Sequence, residues 1–173
     1  GFPLGANPRA LFTWEPIIES IEKKTCFLIA ILLSIGGRVM PIKSILRALP
    51  QYFMSLFLIP AKVSKKICAL QRTFLWGGDD SRRKIHYVDW EKVCLSKKFG
   101  GLGIGDTTTT NKGLLSKWFW KFGRDQNSMW KKVICAKYNL ATPSLALKWP
   151  SNVNNLSPIM KGLHKISTGS TPT

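Results

Sequence analysis

Apolar side chains recur at three- and four-residue spacing along most of this 173-residue chain, and glycine or proline breaks each run. That period belongs to α-helices with one buried face. It constrains the fold to a mainly α bundle with short loops and at most a minor β element. Ile17, Ile18, Ile21 and Leu28 predict a helix over 14–33, with Pro16 in its first turn and Glu15, Glu19 and Glu22 toward its N-terminal half. Val39, Ile42, Ile45, Leu46 and Leu49 predict a second over 38–49, where Pro41 is awkward outside a first turn. The apolar run 50–59 reads as a short buried helix or a strand, closed by Pro60. Ser64 is placed to cap a helix running to Leu75, with Ile67, Leu70 and Phe74 inward. Residues 85–88 have strand character, and Asp89 is placed to cap a short helix over 90–95. Leu114, Leu115, Trp118, Phe119 and Phe122 predict a helix within 107–122 with Gly123 at its C-cap. Met129, Trp130, Val133, Ile134 and Tyr138 predict another behind Ser128. From Ala141 onward Pro, Ser, Asn and Thr accumulate, and a poorly ordered tail is expected over 141–173.

Charge narrows the function. The chain carries 26 Lys+Arg against 9 Asp+Glu, a formal net charge of +17, with 45% apolar residues. The apolar share excludes a disordered basic tail, and the charge exceeds what solubility needs, so a polyanionic partner is expected. The excess lies mainly beyond residue 60: fourteen bases and six acids in 61–125, and no acid after Asp125. Cys26, Cys68, Cys94 and Cys135 are widely spaced and form no C-x-x-C pair. Free thiols in a reducing, intracellular compartment are therefore expected, with no metal site. No signal peptide is visible, and the absence of an initiator Met suggests a fragment. The most apolar run, Cys26 to Leu33, is too short to span a membrane and reads as core helix. The bases are not gathered on one helix opposite a broad apolar face, which argues against a membrane-surface protein.

Two motifs invite chemistry and fail on context. Gly77-Gly78-Asp79-Asp80 matches the metal-holding turn of many RNA-templated polymerases. Yet Ser81-Arg82-Arg83-Lys84 follows where an apolar strand is needed, and no Asp precedes Asp79 to complete a two-metal site. Gly101, Gly103 and Gly105 resemble part of a phosphate loop, but Asp106 stands where a dinucleotide fingerprint wants glycine. A flexible turn entering a helix is the expected reading, with a phosphate at that helix N-terminus left open. No Ser/His/Asp set is present, and no catalytic residue is assigned.

What remains is lysine and arginine interleaved with aromatics, as in Lys112, Lys117, Lys121 and Arg124 with Trp118, Phe119 and Trp120. Such faces contact phosphates while rings stack on bases, although most of these rings also sit at core spacing. The candidate contacts are Arg38, Lys43, Arg47, Lys65, Lys66, Arg82, Arg83, Lys84, Lys112, Lys117, Lys121, Lys131 and Lys132.

The order of short blocks resembles plant non-LTR (LINE-type) retrotransposon reverse transcriptases, in the region after the polymerase palm. The blocks are Pro3-Leu4-Gly5-Ala6-Asn7-Pro8-Arg9, Leu33-Ser34-Ile35-Gly36-Gly37-Arg38-Val39, Ile42-Lys43-Ser44-Ile45-Leu46, the span 49–60, Phe74-Leu75-Trp76-Gly77, 85–90, Gly100-Gly101-Leu102-Gly103-Ile104, Asn111 to Trp118, and Trp130 to Tyr138. The resemblance implies a non-catalytic thumb and connection region that grips RNA/DNA template–primer duplex. It implies 1–13 as the end of the palm-following segment, 14–76 as a thumb-like helical region, 77–106 as a charged, Gly-rich connection and 107–140 as a helical pair. The catalytic aspartates and their Mg2+ would belong to a missing palm, and a zinc-binding region and any ribonuclease H domain would follow. Those missing parts are the other implied partners, and a nuclear location is implied. Two departures stand out: apolar 27–32 replaces a polar stretch, and Pro41 replaces an aliphatic residue. They imply a weakened grip in the first third and supply the alternative reading, a decayed element copy that keeps a structural core without activity.

Overall fold

In the computed structural model, which describes residues 7–8, 10–31, 34–77, 88–125, 127–138 and 156–168, the periodic stripes become helices. The fold is mainly α, with no strand among the described residues. Helix α1 (Glu15–Ile31) follows a short 3-10 turn at Leu11–Thr13 and buries Ile17, Ile18 and Ile21 beside Trp14. Among the described side chains of the apolar run that starts at Cys26, burial is divided. Leu28 and Ile29 pack on the core, whereas Cys26 and Phe27 are exposed.

Pro41 splits the predicted second helix. Helix α2 (Ile35–Pro41) starts at Ser34, whose hydroxyl accepts from the Gly37 amide at 3.1 Å. Proline cannot donate to the preceding turn and crowds it, so the chain continues as a wider π-helical turn over Ile42–Leu46. That turn fully buries Ile42 and Leu46. Helix α3 (Ala48–Met54) follows, and the 50–59 run is thus neither one helix nor a strand: it leaves α3 and turns at 55–60. Helix α4 (Ala61–Trp76) begins three residues before the expected cap. Pro60 takes the N-cap position in extended backbone, and Ser64 is buried inside the helix. Gly77 ends α4 at φ 65, a left-handed conformation that glycine adopts without a Cβ penalty.

Helix α5 (Trp90–Cys94) is short. Asp89 makes no capping bond and instead pairs with Lys92 at 3.7 Å. The expected strand and the Asp79-Asp80 turn lie outside the described residues, apart from exposed Val88. Helix α6 (Thr107–Arg124) runs through Gly123 and ends at Asp125, because the glycine keeps helical backbone. In α7 (Met129–Tyr138), Trp130, Ile134 and Tyr138 face inward, but Met129 and Val133 are exposed. The poorly ordered tail is corrected over 156–168. Helix α8 (Pro158–Ser167) is capped by Ser157 and buries Met160 and Leu163, a spacing masked in the sequence by flanking polar residues.

Two cores result. The larger joins α1, the π turn, α3 and α4 with Val93 and Ile104. The smaller gathers Leu115, Leu156, Met160 and Leu163, with Leu58, Trp118 and Ile134 against them. Helix α6 serves both, since Leu114 packs on the first and Leu115 lies in the second. It also clasps the α3–α4 turn. Buried Asn111 donates to the Met54 and Phe57 carbonyls at 2.7 and 2.9 Å and accepts from the Ile59 amide at 3.0 Å. Two turns further on, the Trp118 indole donates to the Ser55 carbonyl at 2.7 Å.

Candidate nucleic-acid interface

The thirteen cationic candidates separate by what their charges already touch. Arg38 Nη1 donates to the Phe74 carbonyl at 3.4 Å and lies against Gly77, neutralising the C-terminal end of α4. Arg47 donates to the Ile104 carbonyl and the Thr110 hydroxyl, both at 3.2 Å. Lys131 is buried. Its ammonium donates to the Phe122 carbonyl at 2.7 Å and sits 4.8 Å from the Phe122 ring centroid, closing the last turn of α6. All three tie elements of the fold together, and Lys131's burial is hidden in the sequence by its place in a Lys-Lys pair. Lys43 and Lys112 are half-buried, the former with its ammonium near Gly103. Lys66 pairs with Glu22 at 3.5 Å. Arg82, Arg83 and Lys84 lie outside the described residues.

Lys65, Lys117, Lys121 and Lys132 are exposed. On α6, Lys117, Lys121 and Arg124 fall at i, i+4 and i+7, so they share one face. Lys117 and Lys121 hold their ammonium groups 5.8 and 5.7 Å from the Trp118 ring centroid. The Arg124 guanidinium lies 4.8 Å from that of Trp120, which is 65% exposed. Among the described residues, no ion pair engages this stripe. A second basic surface is a groove of about 880 Å³ where α8 meets the start of α4, lined by Lys62, Lys65, Lys161 and Lys165. Three of these lysines escaped the sequence reading. Their signal is the i, i+3 and i, i+4 spacing, but Lys161 and Lys165 become a pair only once α8 is recognised.

The Gly-rich loop is no phosphate cradle. The Gly101, Gly103 and Gly105 amides donate to the Ser96, Leu95 and Cys94 carbonyls at 3.2, 2.7 and 3.1 Å. Gly103 and Gly105 have positive φ, and a Cβ on Gly101 would strike the Leu95 carbonyl. The N-terminus of α6 is already occupied by the Asp106 carboxylate, which accepts from the Thr109 amide at 2.8 Å and from the Thr108 and Thr109 hydroxyls. Burial opposes ionisation of Asp106, but the bonds from Thr108 and Thr109 outweigh it and hold the carboxyl below the usual aspartate range. A depressed folded pKa contributes stability above the unfolded value near pH 4, lost as pH falls through the folded value. Asp106→Asn is therefore expected to flatten the acid limb of stability below about pH 4. Asp106→Ala should cost about 1 kcal/mol at neutral pH, both read by urea unfolding. Wild-type acid sensitivity in the Asn variant would remove Asp106 as the cause.

No cluster of three or more His, Cys, Asp or Glu side chains converges among the described residues. The four cysteines are free. Burial first, then the Cys68 thiol and Asp106 nearby, push the Cys94 thiol up to about 11, so it is protonated at neutral pH. No described helix is long and apolar enough to cross a membrane.

Two curated proteins of Arabidopsis thaliana are similar to this chain. One bears the provisional name ribonuclease H protein and is 35% identical over 128 residues, covering 74% of this chain and 21% of that protein. The other is an uncharacterized mitochondrial protein, 33% identical over 92 residues, covering 53% of this chain and 60% of that protein. The chain thus spans about a fifth of one relative and three fifths of the other. No protein-family model matches the chain, and no solved structure matches it.

Proposed function

We propose that this chain is a non-catalytic segment of a plant retroelement reverse transcriptase, lying after the palm, that holds template–primer duplex on a basic helical face. The observation that carries the reading is the exposed stripe of Lys117, Lys121 and Arg124 on α6, free of acidic partners among the described residues. Phosphates of a duplex would meet these cations at one-turn intervals, and exposed Trp120 adds an apolar contact beside them. The order of sequence blocks supports the parentage. So does similarity over a fifth of an Arabidopsis protein provisionally named for ribonuclease H, a domain expected downstream in such polymerases. Mg2+ and the catalytic carboxylates would reside in the palm, and the missing palm and C-terminal regions would be its protein partners.

Titration of an RNA–DNA hybrid at several salt concentrations tests this. Three phosphate contacts predict a slope of log affinity against log salt about 2.7 units shallower in a Lys117→Gln/Lys121→Gln/Arg124→Gln variant than in the wild type. Equal slopes would remove the α6 stripe from the interface. Wild-type protein that unfolds cooperatively but shows no salt-dependent binding would favour the second reading, a remnant with its core alone. Exposed Phe27, in the stretch where the resembled family is polar, favours that reading.

A further inference from the structure

The groove between α8 and the start of α4 differs in kind from the α6 stripe. It is concave, whereas the stripe lies along an exposed helical face. At about 880 Å³ it lies in the upper range of ligand clefts, large enough for several linked units and not only a lone anion. Its apolar lining includes Phe57, Leu58, Ile59 and Pro158. Lys62 and Lys65 of α4 and Lys161 and Lys165 of α8 line it as well, and no acidic residue does so among the described residues. The first turn of α4 adds to the positive field. Pro60 at the N-cap brings no side-chain acceptor to it, unlike Ser34, Asp106 and Ser157 on their own helices.

We infer that this groove binds a single strand of nucleic acid, with unstacked bases against the apolar lining of Phe57, Leu58 and Pro158 and phosphates on the four lysines. A duplex keeps its base faces inside the stack and offers that lining only sugar edges. An unpaired strand offers both an apolar face and a polyanionic edge. The site deepens the proposed function by adding unpaired template or primer to the ligands held. It rests on that reading for the identity of the polyanion.

The test compares a fluorescein-labelled oligothymidylate with a hybrid duplex, using the full chain and a Lys62→Gln/Lys65→Gln/Lys161→Gln/Lys165→Gln variant. Four contacts to a single strand carry a salt slope of about 2.8, or roughly a 50-fold change in affinity between about 50 and 200 mM salt. The variant should lose that component for oligothymidylate and keep the duplex affinity carried by Lys117, Lys121 and Arg124, so that its loss for the duplex is markedly smaller, with an unchanged far-ultraviolet dichroism spectrum. The matching set of Lys→Arg changes should retain binding. Unchanged oligothymidylate binding in the glutamine variant, or equal losses for both ligands, overturns the inference. Wild-type protein that holds the hybrid but not oligothymidylate overturns it while leaving the proposed function standing. Binding to neither overturns both. Lysine-dependent capture by phosphatidylglycerol vesicles without oligothymidylate binding assigns the groove to a membrane surface and also overturns it.

Discussion

Asn111→Ala is expected to lower the unfolding free energy by about 3–5 kcal/mol. The side chain is fully buried and satisfies three backbone groups of the α3–α4 turn: the Met54 and Phe57 carbonyls and the Ile59 amide. Those groups sit where the chain reverses between helices and have no ladder to fall back on. Alanine leaves each of them without its partner, at about 1–3 kcal/mol apiece before relaxation. Asn111→Asp should be no better, because a carboxylate would face two carbonyl oxygens and lose both donors. Urea unfolding followed by tryptophan fluorescence measures the loss. A change below about 1 kcal/mol would mean that water or a rearranged turn replaces the clasp.

Trp14→Ala should cost about 3–5 kcal/mol, enough to leave a marginal domain largely unfolded. The indole is fully buried in the larger core, lies 6.2 Å from the Phe53 ring centroid, and donates to the Pro8 carbonyl at 2.8 Å. Trp14→Phe should recover most of the packing and lose the hydrogen bond, about 1 kcal/mol. Trp120→Ala is the contrasting case. Its ring is largely in solvent under Arg124, so stability should change by no more than about 0.5 kcal/mol. Equal destabilisation by the two alanine variants would contradict the burial that separates them.

The helices were legible in the sequence because each carries a regular apolar stripe. Ile17, Ile18 and Ile21 read as core from spacing alone, and they are buried. Spacing and composition alone fall short where a distant group decides the outcome. Ser64 has the chemistry of a cap, but Pro60 fixes extended backbone earlier and starts the helix first. Lys131 has the composition of a surface residue, but the end of α6 offers it a carbonyl and a ring. Arg47 looks like the polar side of a helix, and its partners lie 57 and 63 residues further along the chain. Helix α8 was hidden because its stripe is short and surrounded by turn-forming residues. Without it, half of the lysine groove could not be seen. Several of the blocks that carry the resemblance prove to be joints: Ser34 caps, Arg38 closes α4, Gly101 admits the Leu95 carbonyl, and Asn111 clasps a turn.

The wide turn behind Pro41 sets the angular phase of α3, which continues directly from it. A π turn holds one residue more than an α turn, and one residue corresponds to about 100° of rotation around a helix axis. Through that offset, Ile42 and Leu46 reach one side of the bundle while Pro50 and Met54 are still delivered inside. Deleting a single residue between Ile42 and Leu46 would rotate α3 away from this alignment. The Met54 carbonyl would leave Asn111, and the apolar lining of the lysine groove, which begins three residues later at Phe57, would be displaced with it.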